Sequence, residues 1–314
     1  LKTASTAFCR KLTVISKQDE VYHAACWDID VIIERDEWLL LTPPLEEYAE
    51  QIEKLCSMAG SDSGTVVIWD EVDRLISASG SDYSSQALSL LESEIREHLA
   101  ATFGKFLIGR ENFKNGLTGI SAPDVIIKLN GEDIVGWDPT GQFLNTENEP
   151  DRVLFEKKVQ GVTLRDGVTK KPKFELNGYV LPNKNKMTDE ELALVRFGND
   201  NQGFYIYRED RLIYGGGWPH RLFSQDSHLN LLRVELNFDH ELDEYFEIDI
   251  RKSKINLPVK IRDEFKKALA PWRNEASRRY RRNKPDPGLE HEPAVDGNSG
   301  RYPHEDSSRV IERQ

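Results

Sequence analysis

The chain has 314 residues and a mass of 36.0 kDa, a length typical of about two domains. Its 54 acidic residues exceed its 42 basic ones, which gives a net charge of −12 and a pI near 5.2. No run approaches the roughly 18 consecutive apolar residues of a membrane-spanning helix, and the start lacks the apolar centre of an export signal. These features exclude an integral membrane protein and lead us to expect a cytoplasmic one.

The cysteine and histidine patterns predict neither a disulfide framework nor a metal site. Cys9, Cys26 and Cys56 are an odd number of thiols without metal-ligand spacing. The seven histidines include no pair at the spacing of zinc ligands. A reducing compartment is therefore expected, and no residue of this chain is assigned to a metal.

The first third of the chain is predicted to combine strands and helices. Runs of β-branched and aromatic residues predict a meander of three strands at residues 12–16, 24–33 and 37–42. Pro43-Pro44 precedes apolar residues at helical spacing, which predicts a helix that ends near Gly60. A buried strand is predicted at residues 65–69 and a second helix at residues 84–103.

Beyond Gly104, two-residue turn signals predict antiparallel hairpins. Asn130-Gly131 is the strongest and is expected to join residues 125–129 to 133–137. Asp166-Gly167 and Glu209-Asp210 predict two more, between residues 155–164 and 172–180 and between residues 203–208 and 211–214. Strands at residues 231–238 and 247–250 follow, and a helix begins at Pro258.

These patterns predict an α+β fold in three parts. We expect one domain over residues 1–115 and a second over residues 116–283. Residues 284–314 are rich in Pro, Gly, Asp, Glu, Ser and Arg and contain almost no apolar side chain. Such a segment cannot bury enough surface to offset the entropy of ordering it, so a disordered tail is predicted.

Three segments carry candidate binding residues, each with a plainer alternative. Leu1-Lys2-Thr3-Ala4-Ser5 leads into a short helix whose start offers amides and positive charge to an anion, or Lys2 is simply solvated. Gly64-Thr65 enters a strand and either lines a heterocycle or forms an ordinary turn. The basic loop at residues 251–258 contains lysines that reach a phosphate or are only solvated.

In this order, the three segments resemble the GHKL superfamily, named for gyrase, the ninety-kilodalton heat-shock chaperone, histidine kinases and MutL. Within it the sequence resembles the MORC-like and bacterial histidine kinase-like ATPases. The second half resembles the transducer domain of these proteins. The residues that match are Asn130-Gly131, Trp137-Asp138-Pro139, Gln202–Arg208, Arg211-Leu212-Ile213 and Phe246–Ser253.

The resemblance implies a fold and a set of contacts. The fold would be the C-terminal part of a Bergerat α/β sandwich followed by a ribosomal-protein-like βαβ transducer. Leu1, Lys2 and Thr3 would contact the phosphates of ATP, and Thr65 would lie beside the base. Lys252 would be the catalytic transducer lysine at the γ-phosphate, with Lys254 as the alternative because the register is uncertain by two residues.

The chain also departs from the family pattern. The family's general-base Glu, its Mg²⁺-binding Asn and its Asp-x-Gly-x-Gly motif precede the phosphate-closing segment, and Glu20, Asp28, Asp30 and Glu34 follow it. We therefore expect an N-terminally truncated sequence that is inactive alone. The intact parent would be a Mg²⁺-dependent ATPase and conformational switch that forms a homodimer when ATP is bound.

The alternative is a non-enzymatic scaffold that binds nucleic acid or protein. Arg278, Arg279, Arg281 and Arg282 form a basic patch at the end of the last predicted helix. Arginines beside an aromatic residue suit contact with phosphates and bases. Cations at a helix C-terminus are also favoured by the helix dipole, which alone accounts for such a cluster.

Overall fold

A computed structural model describes residues 2–19, 21–58, 63–72, 81–115, 122–142, 151–158, 162–163, 169–170, 173–247 and 257–281. The predicted turn at Asp166-Gly167, most of the strand at residues 247–250, the loop 251–256 and the tail 284–314 lie outside these ranges. The described residues form two compact units, residues 1–96 and 97–314, each combining helices with mainly antiparallel sheet. The predicted α+β class is confirmed.

The first unit is built on a three-stranded antiparallel sheet. Its strands are β1 (Cys9–Gln18), β2 (Val21–Asp28) and β3 (Ser63–Val72), in the order β2-β1-β3. Its helices are α1 (Lys2–Ser5), α2 (Ile29–Arg35), a 3₁₀ turn (Leu45–Tyr48), α3 (Ala49–Met58) and most of α4 (Ser81–Thr102). The strand predicted at residues 12–16 and the helix predicted after Pro44 are confirmed.

The strand predicted at residues 24–33 is confirmed only for residues 24–28, which lie in β2, and the strand predicted at residues 37–42 is wrong. Residues 29–33 are helical because the Asp28 carboxylate accepts hydrogen bonds from the amides of Asp30 and Val31, which caps α2. Residues 37–42 pair with the sheet only through a single bridge between Leu41 and Cys26. The apolar periodicity of residues 29–33 is compatible with a strand, and the capping hydrogen bonds from Asp28 favour the helix.

The two faces of this sheet differ in burial. On one face Thr13, Ile15 and Cys26 are buried, and the Thr13 hydroxyl hydrogen-bonds the Tyr48 hydroxyl at 3.3 Å. The opposite face carries the odd-numbered residues of β3, which are exposed. Residues 65–69 therefore form a strand as expected, but the expectation that it is buried is wrong: Thr65, Val67 and Trp69 are exposed and Val66 and Ile68 are half-buried. The described sheet has β3 at one edge, so only one neighbouring strand shields it.

The second unit is built on a five-stranded sheet in the order β11-β10-β12-β9-β6, with β10 and β12 parallel and the other neighbours antiparallel. Its elements are α5 (Gly104–Ile108), α6 (Arg110–Asn115), β4 (Lys128–Leu129), β5 (Glu132–Asp133), β6 (Asp151–Lys158), β7 (Val162–Thr163), β8 (Thr169–Lys170), β9 (Lys173–Val180), α7 (Asp189–Leu194), β10 (Gly203–Arg208), β11 (Arg211–Gly215), β12 (Leu232–Phe238) and α8 (Val259–Arg281). The hairpins predicted at Asn130-Gly131 and Glu209-Asp210 are confirmed, although β4 and β5 are shorter than predicted.

Helix α8 packs against one face of this sheet and completes the main hydrophobic core. Ile261, Phe265, Leu269 and Trp272 are buried as the helical spacing predicts, whereas Val259 is exposed. Gly178 in β9 faces the Trp272 ring so closely that no other residue fits there without displacement. The opposite face of the sheet is polar and buried, and it includes Arg233, Glu235 and Asn177.

The units divide at Arg96, earlier than the boundary expected near residue 115. The end of α4 already belongs to the second unit, because the Ala100 carbonyl accepts the Trp137 amide at 2.9 Å. In α5, the Lys105 ammonium lies 2.8 Å from Glu235 Oε1. These contacts join residues that are far apart in the chain, and local composition does not reveal them.

Candidate functional site

The sequence-predicted nucleotide residues are only partly described. Leu1, Lys252 and Lys254 lie outside the described residues, and Lys2 begins α1 without a described side chain. Thr3 is exposed in α1, and Thr65 is exposed in β3. Thr3 and Thr65 therefore define the candidate site that can be followed in the structure.

Helix α1 is anchored to the same sheet face that carries Thr65. The Trp69 indole N–H donates to Ser5 Oγ at 2.9 Å, and the Phe8 ring stacks on the Trp69 ring with centroids 5.7 Å apart. Trp69 and Thr65 are four residues apart on one strand, so their side chains point to the same face about 13 Å apart. The structure thus brings the two predicted segments onto one surface.

Strand register extends this surface into a strip that we call the β1–β3 strip. It consists of three directly opposed pairs: Ser16 with Thr65, Val14 with Val67, and Leu12 with Trp69. Opposed residues in antiparallel strands have Cβ atoms about 5 Å apart, so each pair acts as one patch. Val67 and Trp69 are 42% and 41% exposed, which leaves their part of the strip accessible.

The chemistry of the β1–β3 strip changes along its length. Two hydroxyl groups lie at one end, apolar side chains lie in the middle, and α1 lies at the other end. Hydroxyls suit the polar edge of a heterocycle and apolar side chains suit its flat face. Ser16 was not identified from sequence, because its role depends on its register with Thr65.

The acidic residues near this surface serve structural roles. Asp28 caps α2, and the Asp30 carboxylate pairs with the Arg10 guanidinium. The hydrogen bond from Arg10 holds the pKa of Asp30 below its usual value. Within the described ranges, no group of three or more His, Cys, Asp or Glu side chains is arranged to hold a metal ion.

Two arginines of the patch at the end of α8 form hydrogen bonds within the protein. Arg278 makes two hydrogen bonds to Glu275, at 2.7 and 2.9 Å. The Arg279 guanidinium contacts Glu275 and also donates to the carbonyls of Val180 and Leu181, which attaches α8 to the sheet. Arg282 lies outside the described residues. Of the three described arginines, Arg279 is half-buried, whereas Arg278 and Arg281 are exposed.

Comparisons with known proteins point to one family for the N-terminal segment. The family described as histidine kinase-, DNA gyrase B-, and HSP90-like ATPases matches residues 1–65, which contain α1, the β1–β2 hairpin and Thr65. A search of curated proteins gave no match. Across the described residues, no helix has the length and apolar character needed to cross a membrane.

Two solved structures align with most of the chain at low similarity. The B-subunit of DNA gyrase from Myxococcus xanthus is 10% identical, with 86% of this chain and 68% of that chain covered and a TM-score of 0.35. The 43K ATPase domain of Thermus thermophilus gyrase B, in complex with an aminocoumarin, is 9% identical, with 87% and 69% covered and a TM-score of 0.30. Because both scores are low, neither alignment carries an argument about function. What the comparisons give is a similarity of residues 1–65 to the family of histidine kinase-, DNA gyrase B-, and HSP90-like ATPases.

Proposed function

We propose that this chain is part of an ATP-driven conformational switch of the GHKL type, of the MORC-like kind, that acts in the cytoplasm. The observation that carries the proposal is the family match over residues 1–65. It is supported by the contact of Ser5, at the end of α1, with Trp69 on the sheet face that also carries Thr65. A nucleotide bound along that face would extend from the hydroxyl pair at Thr65 to the start of α1.

Each proposed contact has a physical reason. Thr65 and Ser16 would hydrogen-bond the edge of the adenine, while Val67 would contact its flat face. Leu1, Lys2 and Thr3 would meet the phosphates through backbone amides and the Lys2 ammonium. Lys252, or Lys254 in the alternative register, would stabilise charge that develops on the γ-phosphate.

The second unit is proposed to act as the transducer. It offers a five-stranded sheet with α8 packed on one face, and residues 251–256 directly precede that helix. A lysine from this segment would make the arrangement of the units depend on an intact triphosphate, and hydrolysis would release it. Formation of a homodimer in the ATP-bound state is part of the same proposal.

We also propose that this chain lacks part of the ATP site. Its sequence contains no Asp-x-Gly-x-Gly motif, and the described residues offer no acidic cluster for Mg²⁺. In this proposal the strip contacts the base of ATP, and the Mg²⁺ ligand and the general base come from residues outside the described part of this chain. We expect the chain by itself to bind ATP weakly and not to hydrolyse it.

Binding is tested by NMR titration of the full chain with ATP. We expect shifts at Thr3, Ser16, Thr65 and Val67 with half-saturation in the millimolar range, and Thr65→Val should reduce them. Val21→Thr, at an exposed position on β2, is the matched control. The site assignment is refuted if ATP leaves these signals unchanged, and the proposed deficit is refuted if calorimetry detects stoichiometric micromolar binding.

The catalytic assignment is tested in an assembly that supplies the missing motifs and turns over ATP. Lys252→Ala should slow turnover by about 10- to 1,000-fold while leaving ATP binding largely intact, the range typical of one preorganised electrostatic contact. Lys254→Ala is the matched control, and the reverse result would shift the role to Lys254. DNA binding by the chain alone that weakens with salt would instead support the scaffold alternative.

A further inference from the structure

The second unit contains a cavity remote in sequence from the β1–β3 strip. Its volume is about 350 Å³, and it lies between α5, residues 125–127 and the β10–β11 hairpin. The Phe106 carbonyl accepts the amides of Asp124 and Val125 at 2.9 and 3.3 Å, which holds one wall against α5. A volume of this size is at the lower end of the range for small-molecule sites.

The walls of the cavity are mostly apolar. Phe103 and Phe106 contribute two aromatic rings, and Val125, Ile127 and Ile213 contribute branched side chains. The two rings are tilted by 59° with centroids 6.4 Å apart, so they form a concave aromatic surface. Such a surface favours an apolar ring or branched chain over a strongly hydrated group.

Three charged residues line the cavity, and two of them contact partners elsewhere in the molecule. Arg208 makes two hydrogen bonds to Asp243, at 2.6 and 2.7 Å. Glu209 Oε1 lies 2.6 Å from His240 Nδ1. Both groups are therefore committed to partners outside the cavity.

Arg211 is the third charged residue that lines the cavity and differs from the other two. Its guanidinium lies over the Phe103 ring, 5.3 Å from the centroid, and is exposed. It forms no ion pair with a carboxylate among the residues that the structure describes. A positive charge at the mouth of an apolar cavity complements a ligand with an apolar body and an anionic end.

We infer that this cavity is a binding site for a small organic anion with one aromatic or branched apolar group and one carboxylate. The apolar group contacts Phe103, Phe106 and Ile213, and the carboxylate meets the Arg211 guanidinium. This site is separate from the proposed nucleotide site, so each proposal stands or fails alone.

The test uses three probes of the same shape: phenylpropionate, phenylpropanol and phenylpropylamine. We expect the anion to bind two- to fivefold more tightly than the alcohol, because exposed ion pairs contribute modestly, and the amine to bind most weakly. Methyl signals of Val125, Ile127 and Ile213 should shift in the wild-type chain, which locates binding without any substitution.

Two substitutions separate charge from shape. Arg211→Gln should abolish the preference for the anion, and Arg221→Gln, also exposed in the same unit, should preserve it. Ile127→Trp should fill the cavity and weaken all three probes. Equal affinity for the three probes, a preference that survives Arg211→Gln, or shifts confined to other methyl groups would each overturn the inference.

Discussion

The buried ion pair between Lys105 and Glu235 offers the sharpest test of how the second unit is held together. Lys105 Nζ lies 2.8 Å from Glu235 Oε1 and 2.8 Å from Asn237 Oδ1, and 4.0 Å from the Tyr207 ring centroid. Both charged side chains are almost fully buried, at 6% and 5% exposure. Lys105→Met removes the charge while retaining much of the apolar length of the side chain.

The expected loss is large because the substitution leaves Glu235 buried without its cation. Its Oε2 atom has no hydrogen-bond partner within the described structure, so the carboxylate depends on Lys105 and on the Asn237 amide group. Breaking a buried pair in this way costs about 3–5 kcal/mol. In the double variant Lys105→Met/Glu235→Leu, neither member of the pair remains as a buried charge without its partner. Its free energy of unfolding should therefore return to within about 1 kcal/mol of the wild-type value or exceed it.

The assay must report on the second unit alone, because tryptophans occur in both units. Hydrogen exchange of the β12 amides, Leu232–Phe238, followed by mass spectrometry across a urea series, meets this requirement. A loss below about 1 kcal/mol for Lys105→Met would refute the reasoning. So would a double variant whose loss equals the sum of the two single losses, because the cycle would then contain no coupling.

Two further predictions concern other parts of the same unit. Gly178→Ala should destabilise the second unit by about 1–3 kcal/mol or more, because the new Cβ would lie 2.3 Å from the Trp272 ring. Gly198→Ala is the control in urea unfolding, because a Cβ added at Gly198 has open space around it. The hydrogen bond to Glu209 raises the pKa of His240 above 6.5, so NMR titration should show a raised pKa that returns toward 6.5 in Glu209→Gln. The hydrogen bond therefore stabilises the folded state fully at pH values below the pKa that His240 has in the unfolded chain. This stabilisation is lost as the pH rises through the higher pKa that His240 has in the folded state. An unchanged titration in Glu209→Gln would contradict the assignment.

Local signals in the sequence predicted two turns that the structure describes. Asn130 and Gly131 have positive φ values of 53° and 87°, and Glu209 and Asp210 have φ values of 49° and 63°, as two-residue hairpin turns require. The sequence analysis missed the boundary between strand and helix at Asp28, although its signal is local. The β-branched residues that follow Asp28 are typical of a strand and outweighed the single aspartate. Capping of α2 by its side chain is visible only once the backbone direction is known.

The amino-acid sequence by itself determined the α+β class, the turns at Asn130-Gly131 and Glu209-Asp210 and the helical face of α8, since each depends on neighbours within a few positions. Tertiary structure alone decided that Ser16 stands opposite Thr65, that Trp69 holds α1 on that face, and that Lys105 meets Glu235 across 130 residues. The physical reason is that register and burial depend on side chains from distant elements competing for the same space. Apolar spacing shows that a face exists, and only packing shows whether another element covers it.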